Sequence, residues 1–223
     1  MYNTIKVSLL LLFFLGACKT TKDPPSVKTP TQWSEKALDE VIGQVAQNLT
    51  TGRPESLMSN WAVDLIHRQA EIAHGKKIDF TLLNSNTLRA KVIAKGDMTR
   101  RKIIALVGAE SRIFLLQADG ATIEKTFQTI AASGGCPLSH ATFEIHPMPR
   151  APTANNIHIG GEPLKSDKIY TFAVNDAMID GDAELSKLKR KDLGPLSILL
   201  IEGIQKDKIL DARIDSRIVV VNN

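Results

Sequence analysis

The chain has 223 residues, with 43% hydrophobic and 23% charged side chains and a formal net charge of +4 at neutral pH. This length suffices for one well-filled domain or two small ones. The charge is mild and aromatic residues do not interleave with the basic runs at 99–102 and 187–191, so those runs are typical of solvated faces and we expect no nucleic-acid partner.

The N-terminus predicts export. Lys6 precedes the apolar run VSLLLLFFLGA, which is too short to span a bilayer and is typical of a secretory signal peptide. The next residue completes LGAC, which resembles a bacterial lipobox ending at Cys18. We therefore expect a signal peptide over 1–17, lipidation of Cys18, and a polar tether over 18–32. The alternative is an ordinary signal peptide beside an unrelated cysteine.

Cleavage before Cys18 would leave 223 − 17 = 206 residues with a charge of 27 − 24 = +3, because Lys6 is lost. Lys19 rather than Asp after that cysteine favours the outer membrane, so we expect a membrane-anchored lipoprotein of the bacterial cell envelope. Acylation would leave Cys136 as the one free thiol, without a partner for an intramolecular disulfide.

A single folded domain is predicted over 33–223. Apolar spacing predicts helices over 31–40, 55–75, 98–108, 121–133 and 193–208. Buried strands are predicted over 78–83, 112–120, 167–176 and 216–223, with a further apolar run at 90–96. Residues 41–49 fit either a helix or a strand, 134–156 are expected to be irregular, and Gly160-Gly161 predicts a hairpin turn. Helices and strands do not alternate strictly, so the predicted fold class is α+β with mixed sheets packed with helices.

No catalytic group stands out in the sequence. The histidines include no i, i+4 pair of the kind that clips a metal on a helix; they are His67, His74, His140, His146 and His158. Cys136 lies in a Gly-Gly-Cys-Pro loop without a nucleophile motif, and the common hydrolase and phosphate-loop motifs are missing. The residues therefore predict neither a catalytic nor a metal site.

Polar side chains instead follow the strand predicted at 78–83. Asn84 and Asn86 can donate and accept hydrogen bonds, and Arg89 can hold a phosphate or carboxylate with its fork of N–H donors. Arg53 lies in a similar break just before a helix start, which also favours anions. These positions predict a binding wall at strand ends. The alternative is that the asparagines only satisfy loop backbone and that Arg89 pairs with an acidic neighbour.

Four segments in order resemble the C-terminal domain of the bacterial 5'-nucleotidase and UDP-sugar hydrolase family. They are GRPESLMSNWAVDLI (52–66), LLNSNTLRAKVIAKGDMTRRKIIAL (82–106), DGATIEKTF (119–127) and IGGEPLKSDKIYTFAVNDAMIDGD (159–182). The resemblance runs from about Val41 to the C-terminus and implies that domain's α+β fold. In the family, an N-terminal metallophosphatase domain carries two metals and a catalytic His–Asp pair, and the C-terminal domain holds the nucleotide.

The resemblance implies substrate contacts for six residues of this sequence. Arg53 matches the family's first substrate arginine, and Asn84 and Arg89 match the Asn and Arg of its Asn-Gly-Gly-Ile-Arg loop. The remaining matches are the Asn-Asp pair and the expected ribose carboxylate, which are Asn175, Asp176 and Asp182. The resemblance gives this chain no catalytic residue and no cofactor of its own. We expect a separate metallophosphatase chain to bring the divalent metals.

Both aromatic residues that clamp the base in the family are missing here. Residues 108–111 read Gly-Ala-Glu-Ser where the family has Pro-Phe-Gly-Asn, and Ala177 replaces the Phe that follows Asn-Asp. Stacking contributes about 1–3 kcal/mol per base, so nucleotide binding is expected to be weak unless Phe80, Phe143 or another ring compensates. Glu110 near an expected phosphate would repel it.

Three hypotheses follow. The first is the nucleotide-binding half of a split 5'-nucleotidase-type phosphoesterase that acts with the metal-bearing chain. The second is a non-catalytic, degenerate domain that binds another phosphorylated ligand or serves as an envelope scaffold. The third is a self-sufficient hydrolase that uses Cys136 as its nucleophile.

Overall fold

The computed structural model of the protein describes residues 33–221. The predicted signal peptide, the lipidation of Cys18 and the tether lie outside the described residues. Within them, no helix combines the length and the apolar character that a membrane span needs.

The described residues form six α-helices and fourteen strands, several of them only two residues long. The helices are α1 (Glu35–Leu38), α2 (Leu57–His74), α3 (Arg100–Val107), α4 (Gly120–Ala132), α5 (Asp176–Asp180) and α6 (Leu196–Asp207). The strands are β1 (Val41–Val45), β2 (Leu49–Thr50), β3 (Phe80–Leu82), β4 (Val92–Ile93), β5 (Gly96–Thr99), β6 (Arg112–Asp119), β7 (Leu138–Ser139), β8 (Ala141–His146), β9 (Thr153–Ile159), β10 (Glu162–Pro163), β11 (Ile169–Asn175), β12 (Lys191–Pro195), β13 (Ile209–Leu210) and β14 (Ile218–Val220).

A five-stranded mixed sheet lies at the centre, in the order β12-β6-β11-β3-β7. β11 and β3 run parallel, and the other neighbours are antiparallel. Three smaller sheets have the orders β13-β1-β5, β10-β9-β8-β14 and β2-β4. Mixed sheets packed with helices confirm the predicted α+β class.

The central sheet is buried on both faces. Phe172 of β11 belongs to the core that α4 shares with β8 and β9, and its neighbour Ala173 belongs to the core formed with α2, α3 and α6. Successive side chains of a strand point to opposite faces, so a strand between two cores needs apolar residues at nearly every position. This requirement explains why β11 is apolar from Tyr170 to Val174 at every position except Thr171.

Local signals define the helix ends. Ser56 caps α2 through a reciprocal pair of hydrogen bonds with Ser59, and Gly75 ends the helix in a left-handed conformation. Thr99 caps α3 by accepting from the Lys102 N–H. Both ends agree with the sequence pattern, because hydroxyl side chains satisfy the free N–H groups of a first turn and glycine tolerates positive φ.

One sequence expectation is wrong and one ambiguity is resolved. Residues 134–156, expected to be irregular, contain β7, β8 and the start of β9. The left-handed His140 (φ 60°) separates β7 from β8 and interrupts the alternation that would otherwise mark a strand. Residues 41–45 form a strand, β1, held between β13 and β5. The hairpin turn at Gly160-Gly161 is confirmed between β9 and β10.

Helix α6 packs closely against α2 at a glycine. A Cβ atom added at Gly203 would lie 2.8 Å from Leu65 Cγ and 3.1 Å from Gln69 Nε2, and both of these α2 side chains are buried. Glycine therefore sets the separation of the two helices.

We expect Gly203→Ala to lower the free energy of unfolding by about 1–3 kcal/mol, because the added methyl group overpacks the interface between α2 and α6. Urea unfolding followed by circular dichroism measures the change. Gly52→Ala is the control, since its Cβ would meet nothing closer than 3.7 Å. Equal losses in the two variants would contradict a packing role for Gly203.

Two histidine rings stack between α2 and the β7–β8 turn. The His67 and His140 ring centroids are 3.8 Å apart and the planes are 9° from parallel. His67 is buried, and its Nδ1 lies 3.1 Å from the Thr81 hydroxyl. Burial, and then the nearby His140, lower the pKa of His67 from its ordinary 6.5 to about 4, against a smaller opposite effect of Glu71 and Asp64.

The unfolded chain binds a proton at this histidine below pH 6.5, whereas the folded protein does so only near pH 4. Stability therefore falls as the pH decreases through this window, by about 2 kcal/mol at pH 5 relative to pH 7.5. In His67→Gln, we expect the difference in unfolding free energy between these pH values to shrink by that amount. His158→Gln, the control on β9, should retain the full difference, and loss of it there would implicate another group.

Candidate functional site

The carboxyl ends of two parallel strands create the candidate site. β3 leads into Asn84, and β11 ends at Asn175. Because β3 and β11 are parallel neighbours, the segments that follow them leave the sheet at the same edge. The start of β6 lies there too, since Ile113 pairs with Asn175, and the loop before β7 joins them through the Leu83 N–H, which donates to the Pro137 carbonyl.

Asn175 holds the loop after β3 in place. Its Oδ1 accepts the Asn84 N–H at 2.9 Å, and its Nδ2 donates to the Thr87 hydroxyl at 2.9 Å. Asn175 is only 1% exposed. A buried amide with its donor and acceptor both engaged has little capacity left for a ligand, so the structure gives Asn175 a positioning role. Direct substrate contact by Asn175 stays a prediction.

Asn84 is also engaged within the loop. Its Oδ1 accepts the Asn86 N–H at 2.9 Å, which forms an Asx turn, and its Nδ2 donates to the Ala177 carbonyl at 3.3 Å. These bonds fit the alternative in which the asparagine satisfies loop backbone. Asn86 remains exposed on the outer side of the same turn.

Asp176 holds the segment before β6 at the same edge of the central sheet by accepting hydrogen bonds from it. Its Oδ1 accepts the Ser111 hydroxyl at 2.9 Å, and its Oδ2 accepts the Arg112 N–H at 3.2 Å. The end of α3, just before this segment, contacts the loop that carries Arg89, because the Arg89 N–H donates to the Leu106 carbonyl at 2.9 Å. Sequence reasoning missed Ser111, whose role depends on a partner 65 residues away.

Asp182 lies just before a short 3-10 turn, Leu185–Lys187, and caps the segment that leads into it. Its Oδ1 accepts the N–H groups of Glu184 and Leu185 at 2.8 and 3.0 Å, and the residue is only 5% exposed. Its Oδ2 is buried and has no hydrogen-bond partner within residues 33–221. The predicted ribose contact is not tested by this arrangement.

Arg53 lies at the entrance of a cavity of about 250 Å³. Residues of three segments line it, and they include Ser85, Asn86, Gly135 and the N-terminal turn of α2. Arg53 is exposed, and it forms no hydrogen bond or salt bridge with the rest of the described chain. A free guanidinium beside hydroxyl and amide groups can bind an oxyanion.

Cys136 contributes to the wall of this cavity but is buried. Burial raises the pKa of its thiol to about 12, and the positive charge of Arg53 opposes only part of that shift. The thiolate is the nucleophilic form of cysteine, so this environment disfavours the hypothesis of a Cys136 hydrolase.

Arg89 lies over Gly108, at the start of the segment fixed by Asp176. A Cβ atom at Gly108 would lie 2.9 Å from Arg89 Cζ, so glycine makes room for the guanidinium. The Arg89 side chain lines a second cavity, of about 400 Å³, and not the one at Arg53. Within the described residues the Arg89 guanidinium forms no salt bridge. The acidic neighbour that the alternative interpretation gives to Arg89 is therefore not found among these residues.

No aromatic ring lines either cavity. Phe80 and Phe143, the rings that could replace the missing base clamp, are 0% and 2% exposed. Phe80 stacks on Phe172 with ring centroids 4.7 Å apart, and Phe143 packs edge-on against Phe127. Both rings are committed to the core, so neither presents a face to a ligand.

We searched the described part of the chain for side chains that could ligate a metal ion. Residues 33–221 contain no group of three or more His, Cys, Asp or Glu side chains placed to hold an ion. We derive no step through a metal on this chain.

Comparisons with known proteins agree with this architecture. The sequence pattern of the family described as 5'-nucleotidase, C-terminal domain, matches residues 41–190. A comparison with curated proteins gave no match. Solved structures share the fold as well, and in each of the three described next about 84% of this chain is covered.

The first is a 5'-nucleotidase precursor from Thermus thermophilus, with a TM-score of 0.75, 19% identity and 41% of its length covered. The second is a Haemophilus influenzae NAD nucleotidase, with a TM-score of 0.63, 15% identity and 39% covered. The third is a sulfate thiohydrolase, also from Thermus thermophilus, with a TM-score of 0.64, 14% identity and 36% covered.

The coverage and the sequence identity show how much of these structures the chain shares. It spans about 40% of the length of these structures or less, and at such identities the likeness concerns the fold. The family pattern covers about two thirds of the chain and includes all six residues predicted to contact substrate. The protein belongs to the family of 5'-nucleotidase C-terminal domains.

Proposed function

We propose that this chain is the substrate-binding half of a split 5'-nucleotidase-type phosphoesterase and that it recognises chiefly the phosphate end of a nucleotide. Family membership supports the substrate-binding role. The observation that carries the proposal is the uncommitted guanidinium of Arg53 at a cavity where loops meet at one sheet edge.

The cavity has the chemistry of an oxyanion site. Arg53 supplies positive charge, Asn86 can donate from its amide, and Ser85 presents a hydroxyl that donates to the Gly135 carbonyl and can still accept. Charge-assisted hydrogen bonds of this kind are stronger than neutral ones. A volume of about 250 Å³ is small for a drug-sized ligand but admits a phosphate group.

The cavity walls provide little means to distinguish bases. Base stacking on an aromatic side chain contributes about 1–3 kcal/mol, and no ring lines the cavity at Arg53. Affinity should therefore depend on the phosphate and vary little between adenine, guanine and pyrimidine nucleotides. Glu110, exposed beyond Gly108, would disfavour a ligand whose charge extends towards it.

Hydrolysis by this family requires metals, which we place on a separate metallophosphatase chain. Residues 33–221 themselves contain no group of three or more His, Cys, Asp or Glu side chains placed to hold an ion. We further propose that both chains meet at the envelope, with this one held in the outer membrane through a lipid on Cys18. Labelling with a palmitate analogue, with Cys18→Ser as control, tests the anchor.

A second candidate function is a non-catalytic module. The buried positions of Phe80 and Phe143 favour it, because a domain without a base clamp can keep the fold while binding another phosphorylated ligand or acting as a scaffold. It predicts that Arg89→Ala changes hydrolysis in no reconstituted mixture, and a clear loss of activity would count against it.

The split-enzyme proposal predicts a stable partner. The tagged protein, purified from its host's membranes, should bring down a near-stoichiometric metal-bearing phosphatase that mass spectrometry identifies. The pair should release phosphate from AMP faster than the phosphatase alone, and only with divalent metal. If the mixture hydrolyses no more nucleotide than the phosphatase alone, the proposal fails.

Within that pair, we expect Arg53→Ala to lower kcat/KM for AMP about tenfold to a hundredfold, because a hydrogen bond to a charged group contributes about 1.5–3 kcal/mol. Arg150→Ala, another exposed arginine in a loop, is the matched control and should leave kcat/KM unchanged. Equal effects of the two substitutions on kcat/KM would contradict a role of Arg53 in substrate binding.

The buried thiol yields a separate prediction. Cys136 should resist iodoacetamide in the folded protein at pH 8 and react after denaturation, because its raised pKa and burial keep it a protonated, enclosed thiol. Peptide mapping by mass spectrometry measures the labelling. Ala132→Cys, which places a thiol on the exposed last turn of α4, should label quickly. Rapid native labelling of Cys136 would revive the cysteine-hydrolase hypothesis.

A further inference from the structure

The second cavity differs in character from the one at Arg53. It lies between α3 and the chain from Arg89 to Met98, and its volume is about 400 Å³, within the range of small-molecule sites. Its walls are mostly aliphatic, contributed by Ala90, Val92, Ile93, Met98, Ala105 and Leu106. Val92 is 50% exposed, so the apolar wall continues to the surface.

Three cations border this apolar space: Arg89, Lys95 and Lys102. Lys102 Nζ donates to the Asp97 carbonyl at 2.6 Å and forms no salt bridge within the described residues. Arg89 and Lys95 also take part in no salt bridge within residues 33–221. The nearby Asp97 carboxylate instead accepts from Gln44 Nε2 at 2.5 Å. The cavity therefore combines an aliphatic lining with a net positive charge, because three cations border it and Asp97 is the one carboxylate named beside them.

This combination selects a chemical class. An aliphatic wall favours a saturated chain through the hydrophobic effect, while the arginine and lysines favour a phosphate or carboxylate at one end. A nucleobase would find no ring on which to stack. We propose that this cavity binds an anionic amphiphile, a molecule with an aliphatic chain and a phosphate or carboxylate head. Free amphiphiles and bilayer lipids share this chemistry.

This proposal does not rest on the proposed function, because it concerns a different cavity. Amphiphile binding is measured on the single chain, without nucleotide or partner. Decyl phosphate, used below its micelle concentration, is the probe for isothermal titration calorimetry. We expect one-to-one binding that is at least tenfold tighter than that of decyl maltoside, whose head is neutral. Inorganic phosphate at the same concentrations should give no measurable heat.

Ala105→Phe should fill the cavity and weaken decyl phosphate binding at least tenfold. Ala73→Phe, at an exposed alanine of α2, is the matched control and should bind like the parent protein. If Ala105→Phe fails to fold, Lys95→Glu tests the head-group contact at the exposed surface and should weaken decyl phosphate binding more than decyl maltoside binding.

Equal affinity for the charged and neutral probes, or equal binding by Ala105→Phe and Ala73→Phe, would overturn the proposal. Co-sedimentation with phosphatidylcholine vesicles containing phosphatidylglycerol separates the two sources of ligand. Vesicle binding that Ala105→Phe weakens, relative to Ala73→Phe, would identify a bilayer lipid. Specific binding of decyl phosphate without vesicle binding would identify a free amphiphile.

Discussion

The parallel pairing of β3 with β11 is the constraint on which the site depends. Phe80 lies opposite Phe172 and Thr81 opposite Ala173, and the core on each side of the sheet fixes this register. A slip by one residue would turn every side chain of β3 to the wrong face. It would also separate Asn84 from Asn175, whose contact positions the loop that carries Arg89.

The same constraint explains why some polar side chains at the sheet edge hold loops together while others remain without a partner. Asn84, Asn175 and Asp176 use their hydrogen bonds to hold loops together. The side chains around them include Arg53 and Arg89, which take part in no salt bridge within residues 33–221 and which we propose as ligand contacts. A scaffold that keeps its internal contacts can change these outer side chains without changing its fold. A nucleotidase and a sulfate thiohydrolase that share the fold illustrate this freedom.

Local patterns in the sequence were enough for five of the six helices in the described residues and for the predicted class, whereas the five-residue α5 (Asp176–Asp180) was not predicted. Ser56, Thr99 and Gly75 define helix ends through contacts within one turn. Such contacts need particular residue types at a fixed spacing, which the sequence reveals. The strands of residues 134–156 leave a weaker mark, since two-residue β7 is too short to show alternation and His140 interrupts it.

Sequence patterns did not predict the contacts between residues that are distant along the chain. The resemblance placed six residues at the site, but no pattern indicates that Asn175 turns its amide towards Thr87, 88 residues away. Nor does the spacing of Arg53 and Arg89 reveal that their side chains line different cavities. Both outcomes depend on how the loops pack after the sheet has formed.

The strands β13 and β14, at the C-terminal end of the described chain, have a kinetic consequence. β13 pairs in parallel with β1, and β14 pairs in parallel with β8, while Arg217 beside β14 holds Asp64 of α2 through two hydrogen bonds of 2.7 Å. Contacts between distant parts of a chain form slowly. During synthesis, β1 and β8 would each lack a neighbour until residues 209–220 have left the ribosome. Until then, β1 and β8 would each expose an unpaired strand edge, and such edges invite aggregation.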